Sequence, residues 1–277
     1  MDDAIRTMSR AELDLALDWA AAEGWNPGRH DATAFHVTDP QGFLIGLVDG
    51  APAAVISVVR YDRSFGFLGL YIAAPARRGQ GHGLRLWEAG LAHLEGCVVG
   101  LDGVVAQQDN YRRSGFVYGW PNFRFGGRIE PLADAGLVDA RGVPFGELVA
   151  LDQAMFPAPR PGFLAAWLAM PESRTLALHA DGRLAGLGTI RRCREGRKIG
   201  PLYAPDAAAA ERILRALALE CPGEELFLDV PGPNRAAMRL AEGLGMTQRF
   251  ETARMYRGEA PTLPIERLFG ITSLELG

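Results

Sequence analysis

An α/β fold in two tandem domains is the fold class that this sequence predicts, and three observations lead to it. The chain has 277 residues, more than the about 100–200 residues of a typical domain. Residues 67–87 combine an apolar run, a glycine-rich turn and an apolar pattern at helical spacing, which predicts a strand, a turn and a helix. Landmarks of the first half also recur in the second half, which predicts a duplicated fold.

The composition excludes several classes of function. Hydrophobic residues make up 48% and charged residues 22% of the chain, which is ordinary for a soluble globular protein. A net charge of −4 argues against nucleic-acid binding through a broad basic surface, and no apolar run is long enough to span a bilayer. The sequence begins Met1-Asp2-Asp3, without the features of a signal peptide, so we expect a cytoplasmic protein.

Cysteine usage gives no sign of a metal site or of a disulfide framework. Cys97, Cys193 and Cys221 are odd in number, lie far apart and lack the spacing of metal ligands. We therefore expect reduced thiols and no metal. The sequence leaves open whether the chain is a monomer or a homodimer.

The elements before the glycine-rich turn follow from local patterns. Ser9, with Glu12 three residues later, forms a capping-box signature, and it predicts a helix that ends near Gly24. After the turn-rich loop Trp25-Asn26-Pro27-Gly28, a short helical run begins near Asp31. Strands are then predicted over residues 43–48, 53–61 and 65–72.

The elements after the turn alternate between helix and strand, which is typical of an α/β protein. They are a helix over residues 81–94, a strand over 97–101, a short helix over 107–114 and a final strand from Gly115.

The turn itself predicts a binding site for an anion such as phosphate. Gly79, Gly81 and Gly83 let the backbone approach a ligand, and the helix that follows adds unpaired N–H groups and the positive end of its dipole. No Gly-Lys-Ser/Thr ending follows, which excludes a nucleoside-triphosphate loop, and the arginines before the glycines do not fit a dinucleotide fingerprint. A tight turn that binds nothing is the alternative.

Two short motifs resemble those of the GNAT acyl-CoA N-acyltransferases. Arg78 to Gly83 resembles their pyrophosphate-binding signature, Arg/Gln-x-x-Gly-x-Gly/Ala after a strand. Tyr111, followed by Gly115-Phe116, resembles their Tyr-x-x-x-Gly-Phe motif. The predicted element order is also similar to that of the GNAT fold, an α+β arrangement with a mixed sheet whose two central strands splay apart.

The resemblance implies acetyl-CoA as the co-substrate. Its pyrophosphate is expected at a basic turn made of Arg77, Arg78, Gly79, Gln80, Gly81, His82 and Gly83. Its pantetheine arm is expected along a strand edge made of Tyr71, Ile72 and Ala73. The family's tyrosine, here Tyr111, is taken to protonate the departing thiolate; a packing residue on a helix face is the alternative. Val104 is a departure from the family, which often has at this position an asparagine that helps to hold the cofactor.

The attacking amine must be neutral, so a general base is expected. Many GNAT enzymes have a glutamate on the strand before the turn, but residues 65–72 contain no acid. Asp102, Asp31 and Glu23 remain, and we expect Asp102 to be the base because it follows the adjacent strand; a buried structural role is its alternative. The residues expected to bind the substrate are Trp25, for which packing is the alternative, Asn26 and Asp31.

The second half repeats the first half at a nearly constant offset. Asp49-Gly50 corresponds to Asp181-Gly182, and Tyr71 corresponds to Tyr203, both at an offset of 132 residues. We therefore predict a catalytic GNAT domain over residues 1–130 and a degenerate GNAT-like domain over residues 131–277. The whole pattern resembles a tandem GNAT subgroup whose C-terminal ending is here Phe269 to Gly277.

The second half lacks the functional groups of the first. No glycine or arginine follows Tyr203 directly, Asp206 is placed to cap the next helix, and Ala241 stands where the first half has Tyr111. We therefore predict no acyl transfer in the second half, which is expected to cover the substrate cleft. The residues it is expected to contribute are Asp229, Asn234 or Glu251.

Three functions remain open. The first is an N-acetyltransferase that transfers an acetyl group from acetyl-CoA to a primary amine of a small metabolite in a ternary complex. The second is a non-catalytic acyl-CoA sensor, which the missing strand acid and Val104 leave open. The third is a nucleotide-phosphate binder of another class, which would be stabilised by ATP or NAD and not by acetyl-CoA.

Overall fold

A mixed sheet of thirteen strands, formed within residues 3–277, runs through both halves of the computed structural model. The structure describes these residues, and Met1 and Asp2 lie outside them. The two outlying residues belong to the N-terminus, in which no signal peptide is expected. The first half contains β1 (Asp3–Thr7), α1 (Arg10–Ala22), α2 (Asp31–Thr38), β2 (Phe43–Val48), β3 (Ala51–Arg60), β4 (Phe65–Ala73), α3 (His82–His93), β5 (Val98–Val104), α4 (Gln108–Arg113) and β6 (Val117–Gly127). The second half contains β7 (Leu137–Asp139), α5 (Phe145–Met155), α6 (Pro161–Leu168), β8 (Ser173–Ala180), β9 (Arg183–Arg192), β10 (Arg197–Tyr203), α7 (Ala207–Leu217), β11 (Leu226–Pro231), α8 (Arg235–Gly243), β12 (Thr247–Arg257) and β13 (Leu268–Gly270).

The strands follow the order β1-β2-β3-β4-β5-β12-β6-β11-β10-β9-β8-β7, with β13 beside β10. β4 pairs with β5, and β10 with β11, in parallel, whereas the other neighbouring strands are antiparallel. The predicted α/β class with a mixed sheet is therefore confirmed.

Local sequence patterns account for most of the first-half elements. The predicted capping box is confirmed, since the hydroxyl of Ser9 accepts a hydrogen bond from the N–H of Glu12 at 3.3 Å and the Glu12 carboxylate accepts one from the N–H of Ser9 at 2.8 Å. β1 is absent from the sequence prediction because most of its side chains are exposed, so it carries no buried apolar alternation.

The two halves exchange their last long strands. β6 pairs with β11 and β12, which follow it in the second half, and β12 pairs with β5 of the first half. A division at residue 130 follows the order of the chain, whereas hydrogen bonding joins each half to the last strand of the other. The first-half part of the sheet is consequently completed by β12 of the second half.

Buried ion pairs cross this exchanged region at two equivalent places. Asp102 on β5 accepts two hydrogen bonds from Arg254 on β12, both at 2.7 Å. Asp229 on β11 accepts two from Arg124 on β6, at 2.7 and 2.8 Å. Asp102 and Asp229 occupy equivalent positions in the two halves of the duplication, because each comes directly after a leucine on its strand. An unpaired charge at either place would be costly, which favours this pairing of the strands.

Helices from both halves cover the first-half sheet. α1 and α2 pack on one face, where α6 of the second half joins them through the ring of Trp167, whose centroid lies 6.4 Å from that of Phe35. α3 packs on the other face around Leu86 and Trp87. The first-half core therefore depends on the presence of the second half.

The gap between β10 and β11 is filled by the chain itself. These strands pair over residues 197–199 and 226–228 and then separate. β13 pairs with β10 beyond this point. The amide nitrogen of Asn234 donates to the backbone oxygens of Ile265, Glu266 and Leu268 at 3.0, 3.3 and 2.9 Å. The second half therefore has its strand gap occupied by residues 265–270.

Candidate functional site

A cavity of about 370 Å³ lies where β4 and β5 separate. These strands pair over residues 65–68 and 98–101 and then diverge, as β10 and β11 do in the second half. The lining residues of the first half are Glu23, Trp25, Leu68, Gly69, Leu70, Tyr71, Ile72, Ala73, Arg78, Leu101, Asp102, Gly103, Val104, Gln107 and Tyr111. Those of the second half are Phe250, Thr252, Leu274 and Glu275. The gap in the first half is thus open, whereas the corresponding gap in the second half is filled.

The backbone of β4 is irregular beside the cavity. Its register against β3 shifts between Val55 and Ser57, and Leu70 has a left-handed φ of 47°. A leucine in this conformation costs about 1–3 kcal/mol, and such strain is typical of functional sites. Residues 69–73 have no partner on β5, so their backbone groups on that side are free of strand pairing.

Gly69 is required by close contact with the segment 271–277, called here the C-terminal segment. A Cβ atom at Gly69 would lie 2.2 Å from the backbone oxygen of Glu275. We expect Gly69→Ala to lower the free energy of unfolding by about 1–3 kcal/mol, because a backbone cannot move aside as a flexible side chain can. Urea-denaturation midpoints measure the effect.

The control for Gly69→Ala is Gly146→Ala. Gly146 is exposed in α5, and an added Cβ there contacts nothing within 4 Å. This change is expected to leave stability unchanged or slightly increased, since alanine favours helix over glycine. Equal stability of the two variants would contradict the contact between Gly69 and the C-terminal segment.

The glycine-rich turn leads into an uncapped helix end. Gly79 and Gly81 have left-handed φ values of 74° and 84°, which glycine adopts without steric cost. Gly81 is the N-cap of α3, so no side chain satisfies the first N–H groups of this helix. Asp206 caps α7 in the second half by accepting a hydrogen bond from the N–H of Ala209 at 2.8 Å, as predicted. Of these two helix ends, only that of α3 therefore keeps free N–H donors for an anion.

Arg78 connects the turn to the cavity. It lines the cavity, forms an ion pair with Glu23 and donates from Nε to the backbone oxygen of Ala73 at 3.1 Å. Arg77 lies beside it at the end of a short 3₁₀ turn and is half-buried. Positive charge is thus present between the uncapped helix end and the strand edge.

The other turn residues lie outside the cavity lining. The ring nitrogen Nδ1 of His82 is 3.8 Å from the carboxylate of Asp3, which also pairs with Arg85. The side-chain amide of Gln80 donates to the backbone oxygen of Ala76 at 2.9 Å. These contacts hold the turn in shape and leave its backbone toward solvent, where Gly79 and Gly81 have open space around them.

The ring of Tyr111 is buried in the cavity wall. It stacks on Trp87 with ring centroids 5.5 Å apart. Gly103 makes room for it, since a Cβ there would lie 2.1 Å from the ring carbon Cε2. Burial, with a contribution from Tyr71, raises the pKa of Tyr111 to about 12, so the phenol carries its proton at neutral pH. Such a group can donate a proton to a leaving group.

Asp102 lines the cavity, but both of its oxygens are already bonded. Besides the two bonds from Arg254, it accepts one from the amide of Asn122 at 2.6 Å, and its side chain is 0% exposed. Asp229 is bound by an arginine in the same way in the half that lacks a tyrosine equivalent to Tyr111. The arrangement fits a structural ion pair common to both halves better than a base.

The three residues expected at the substrate lie in different places. Trp25 lines the cavity. The side-chain amide of Asn26 instead bonds both the N–H and the backbone oxygen of Glu195, at 2.9 and 3.0 Å. Asp31 is fully buried and accepts a hydrogen bond from Arg191 at 3.0 Å. Asn26 and Asp31 therefore hold the loop against the second half and do not line the cavity, which leaves Trp25 as the candidate for substrate contact.

Comparison with known proteins identifies the family. The acetyltransferase (GNAT) family matches residues 10–116, and an acetyltransferase (GNAT) domain matches residues 148–270. A holothin acyltransferase from Pseudoalteromonas sp. (strain SANK 73390) is 31% identical over 272 residues, which cover 97% of this chain and 92% of that protein. The chain belongs to the GNAT acetyltransferase family.

Solved structures share the tandem GNAT fold. A putative acetyltransferase from Pyrococcus horikoshii has a TM-score of 0.83 at 21% identity, covering 99% of this chain and 96% of that one. A tandem GNAT protein from the clavulanic acid biosynthesis pathway has a TM-score of 0.64 at 12% identity, covering 94% and 100%. The predicted resemblance to tandem GNAT proteins is thus confirmed, and family membership supports acyltransferase activity.

The second GNAT domain contributes other residues to the cavity than the sequence predicts. Asp229 is held in its ion pair, Asn234 binds residues 265–268 and Glu251 is exposed. The residues that line the cavity are Phe250, Thr252, Leu274 and Glu275. The one available signal in the sequence is a lone acid, Glu275, between leucines of a predominantly apolar stretch.

Within residues 3–277 no three His, Cys, Asp or Glu side chains group as metal ligands, and no helix has the length and apolar character to cross a bilayer. Cys97, Cys193 and Cys221 are free thiols.

Proposed function

We propose that this chain transfers an acetyl group from acetyl-CoA to a primary amine of a small metabolite, by direct attack of the amine in a ternary complex. The observation that carries the proposal is the cavity between β4 and β5, with an uncapped helix end beside it and the phenol of Tyr111 in its wall. An acyl-CoA thioester needs both: donors for its diphosphate and an acid for its departing sulfur.

Different residues would hold the diphosphate, the pantetheine arm and the acyl group of acetyl-CoA. The bound thioester supplies an activated acyl group. The N–H groups of residues 79–83 hold the diphosphate, assisted by the charges of Arg77 and Arg78. The unpaired edge at Tyr71, Ile72 and Ala73 binds the amides of the arm as an added strand would. A backbone N–H of the irregular β4 polarises the acyl carbonyl, a contribution of roughly 2.7–4 kcal/mol in other enzymes.

The acceptor in this proposal is a small amine with an apolar body. Leucine and phenylalanine side chains form much of the cavity wall, and Trp25 contributes its ring. The relative's name gives holothin as the acceptor there, and acyl transfer to a small molecule is the part that we extend to this chain. The proposed setting is the cytoplasm, without nucleic acid, with the chain acting as a monomer or a homodimer.

A thermal-shift screen and a thiol-release assay test this function. We expect acetyl-CoA to raise the melting temperature, since ligand at about 100 times its Kd stabilises by about 2.7 kcal/mol. We also expect free thiol to appear when an amine panel is added. A non-catalytic acyl-CoA sensor would be stabilised without releasing thiol, and a nucleotide binder of another class would respond to ATP or NAD instead.

The pH dependence of kcat tests the protonation state of Tyr111. Because burial raises the pKa of this phenol to about 12, it stays protonated across any practical assay range. We expect the ratio of kcat between the natural chain and Tyr111→Phe to stay constant from about pH 6.5 to about pH 9.5. A ratio that falls toward one as the pH rises within this range would contradict a phenol that keeps its proton throughout the range.

A further inference from the structure

The carboxylate of Glu275 stands out among the acids of the cavity. Glu275 is 2% exposed, and neither of its carboxylate oxygens has a hydrogen-bond partner among the described residues. The other two acids of the lining are engaged, Glu23 with Arg78 and Asp102 with Arg254. A buried carboxylate without hydrogen bonds is costly and calls for a functional explanation.

Three buried cations lie near Glu275. Arg124, Arg191 and Lys198, on β6, β9 and β10, lie within electrostatic range of Glu275. Each donates its hydrogen bonds elsewhere: Arg124 to Asp229, Arg191 to Asp31 at 3.0 Å, and Lys198 to the backbone oxygen of Asn26 at 2.9 Å. None of these cations hydrogen-bonds the carboxylate of Glu275, whose two oxygens are buried and without a partner among the described residues.

Hydrogen bonds and close packing hold the C-terminal segment beside the irregular part of β4. The hydroxyl of Tyr61 donates to the backbone oxygen of Leu276 at 2.7 Å, and the N–H of Leu276 donates to the hydroxyl of Ser273 at 3.1 Å. Gly69 of β4 lies directly against the backbone of Glu275. The second half thus places Glu275 in the cavity lining, with its backbone against the part of β4 along which the acyl group is proposed to lie.

We propose that Glu275 is the general base of the acyl transfer, an inference that rests on the proposed function. Its carboxylate takes one proton from the ammonium form of the substrate. The freed nitrogen forms a bond to the acyl carbon as the bond from that carbon to sulfur breaks. Tyr111 gives its proton to the departing sulfur and regains one from the newly bonded nitrogen, and Glu275 returns its proton to solvent, so one proton is released per turnover.

Substitution of Glu275 with a matched control tests this role. We expect Glu275→Gln to lower kcat by about 100-fold while the Kd for acetyl-CoA stays within about threefold and the melting temperature within about 3 °C. Glu275→Ala is expected to be equally slow and to regain activity when formate is added, because formate can occupy the vacated space as a base. The control Glu266→Gln, an exposed acid just before β13, is expected to keep full kcat.

The outcomes separate this inference from the proposed function. Turnover by Glu275→Gln within about threefold of the natural chain would overturn the role of Glu275 alone. So would slow variants that melt much lower, bind acetyl-CoA poorly and gain nothing from formate, since that combination indicates a structural carboxylate. Absence of thiol release by the natural chain with every amine would overturn the acyl-transfer function and the base together.

Discussion

Tyr111→Phe is expected to lower kcat by about 100-fold or more, without weakening acetyl-CoA binding. The change removes one oxygen from a ring whose position is fixed by Trp87 and by the space at Gly103, so the cavity keeps its shape. The sulfur then departs without a proton donor. Stopped-flow thiol release gives kcat, and calorimetric titration with acetyl-CoA gives the Kd.

The control for this experiment is Tyr118→Phe. Tyr118 lies on β6 with 43% of its surface exposed and does not line the cavity. Loss of its hydroxyl should change neither kcat nor the Kd for acetyl-CoA. If Tyr111→Phe retained full turnover, the proton would come from another group, and the assignment of Tyr111 as the acid would be wrong.

Asp102→Asn and Asp229→Asn are each expected to lower the free energy of unfolding by about 3–5 kcal/mol, because each leaves an arginine buried without its counter-charge. The two sites form a matched pair, since each aspartate accepts two hydrogen bonds from an arginine of the exchanged strand. Urea denaturation measures the stability, and kcat is measured at a temperature at which both variants are folded.

The comparison of these two variants also decides between two bases. If Asp102 is structural, kcat of Asp102→Asn should stay within about threefold of kcat of Asp229→Asn. A loss of about 100-fold confined to Asp102→Asn would identify Asp102 as the base and would contradict the role inferred for Glu275. Adding Arg254→Met to Asp102→Asn should recover part of the stability, because the unpaired charge is then removed.

The sequence predicts the local elements and the asymmetry of the two halves well. Short patterns are enough where a residue affects only its near neighbours in the chain. This applies to the glycines at 79 and 81, to the capping Asp206 and to Ala241, which replaces the tyrosine of the first half. The exchange of β6 and β12 is different. Either strand could pair with the sheet of its own half, and no local pattern specifies which neighbour it takes.

The candidate site was harder to predict because much of it depends on contacts between distant residues. Asn26 and Asp31 are polar residues in a loop, and only the structure places Glu195 and Arg191 against them. Glu275 lies more than 200 residues after Gly69 in the chain yet packs directly on it. Such pairs arise from the fold as a whole and leave no spacing in the sequence.

In the second half, the strand gap that corresponds to the cavity is occupied by the chain itself. β13 occupies the gap between β10 and β11, and Asn234 holds the backbone of residues 265–268 there. Asn234 stands seven residues before Ala241, as Val104 stands seven residues before Tyr111. The second half thus has an asparagine that binds its own chain, and the segment that fills this gap continues into the open cavity of the first half.

The most direct test of the account is the crystal structure of the chain with coenzyme A. We predict one molecule per chain, with its diphosphate on the N–H groups of residues 79–83, its arm along residues 71–73 and its sulfur beside the phenol of Tyr111. Coenzyme A bound between β10 and β11, or absent from the cavity between β4 and β5 at saturating concentration, would contradict it.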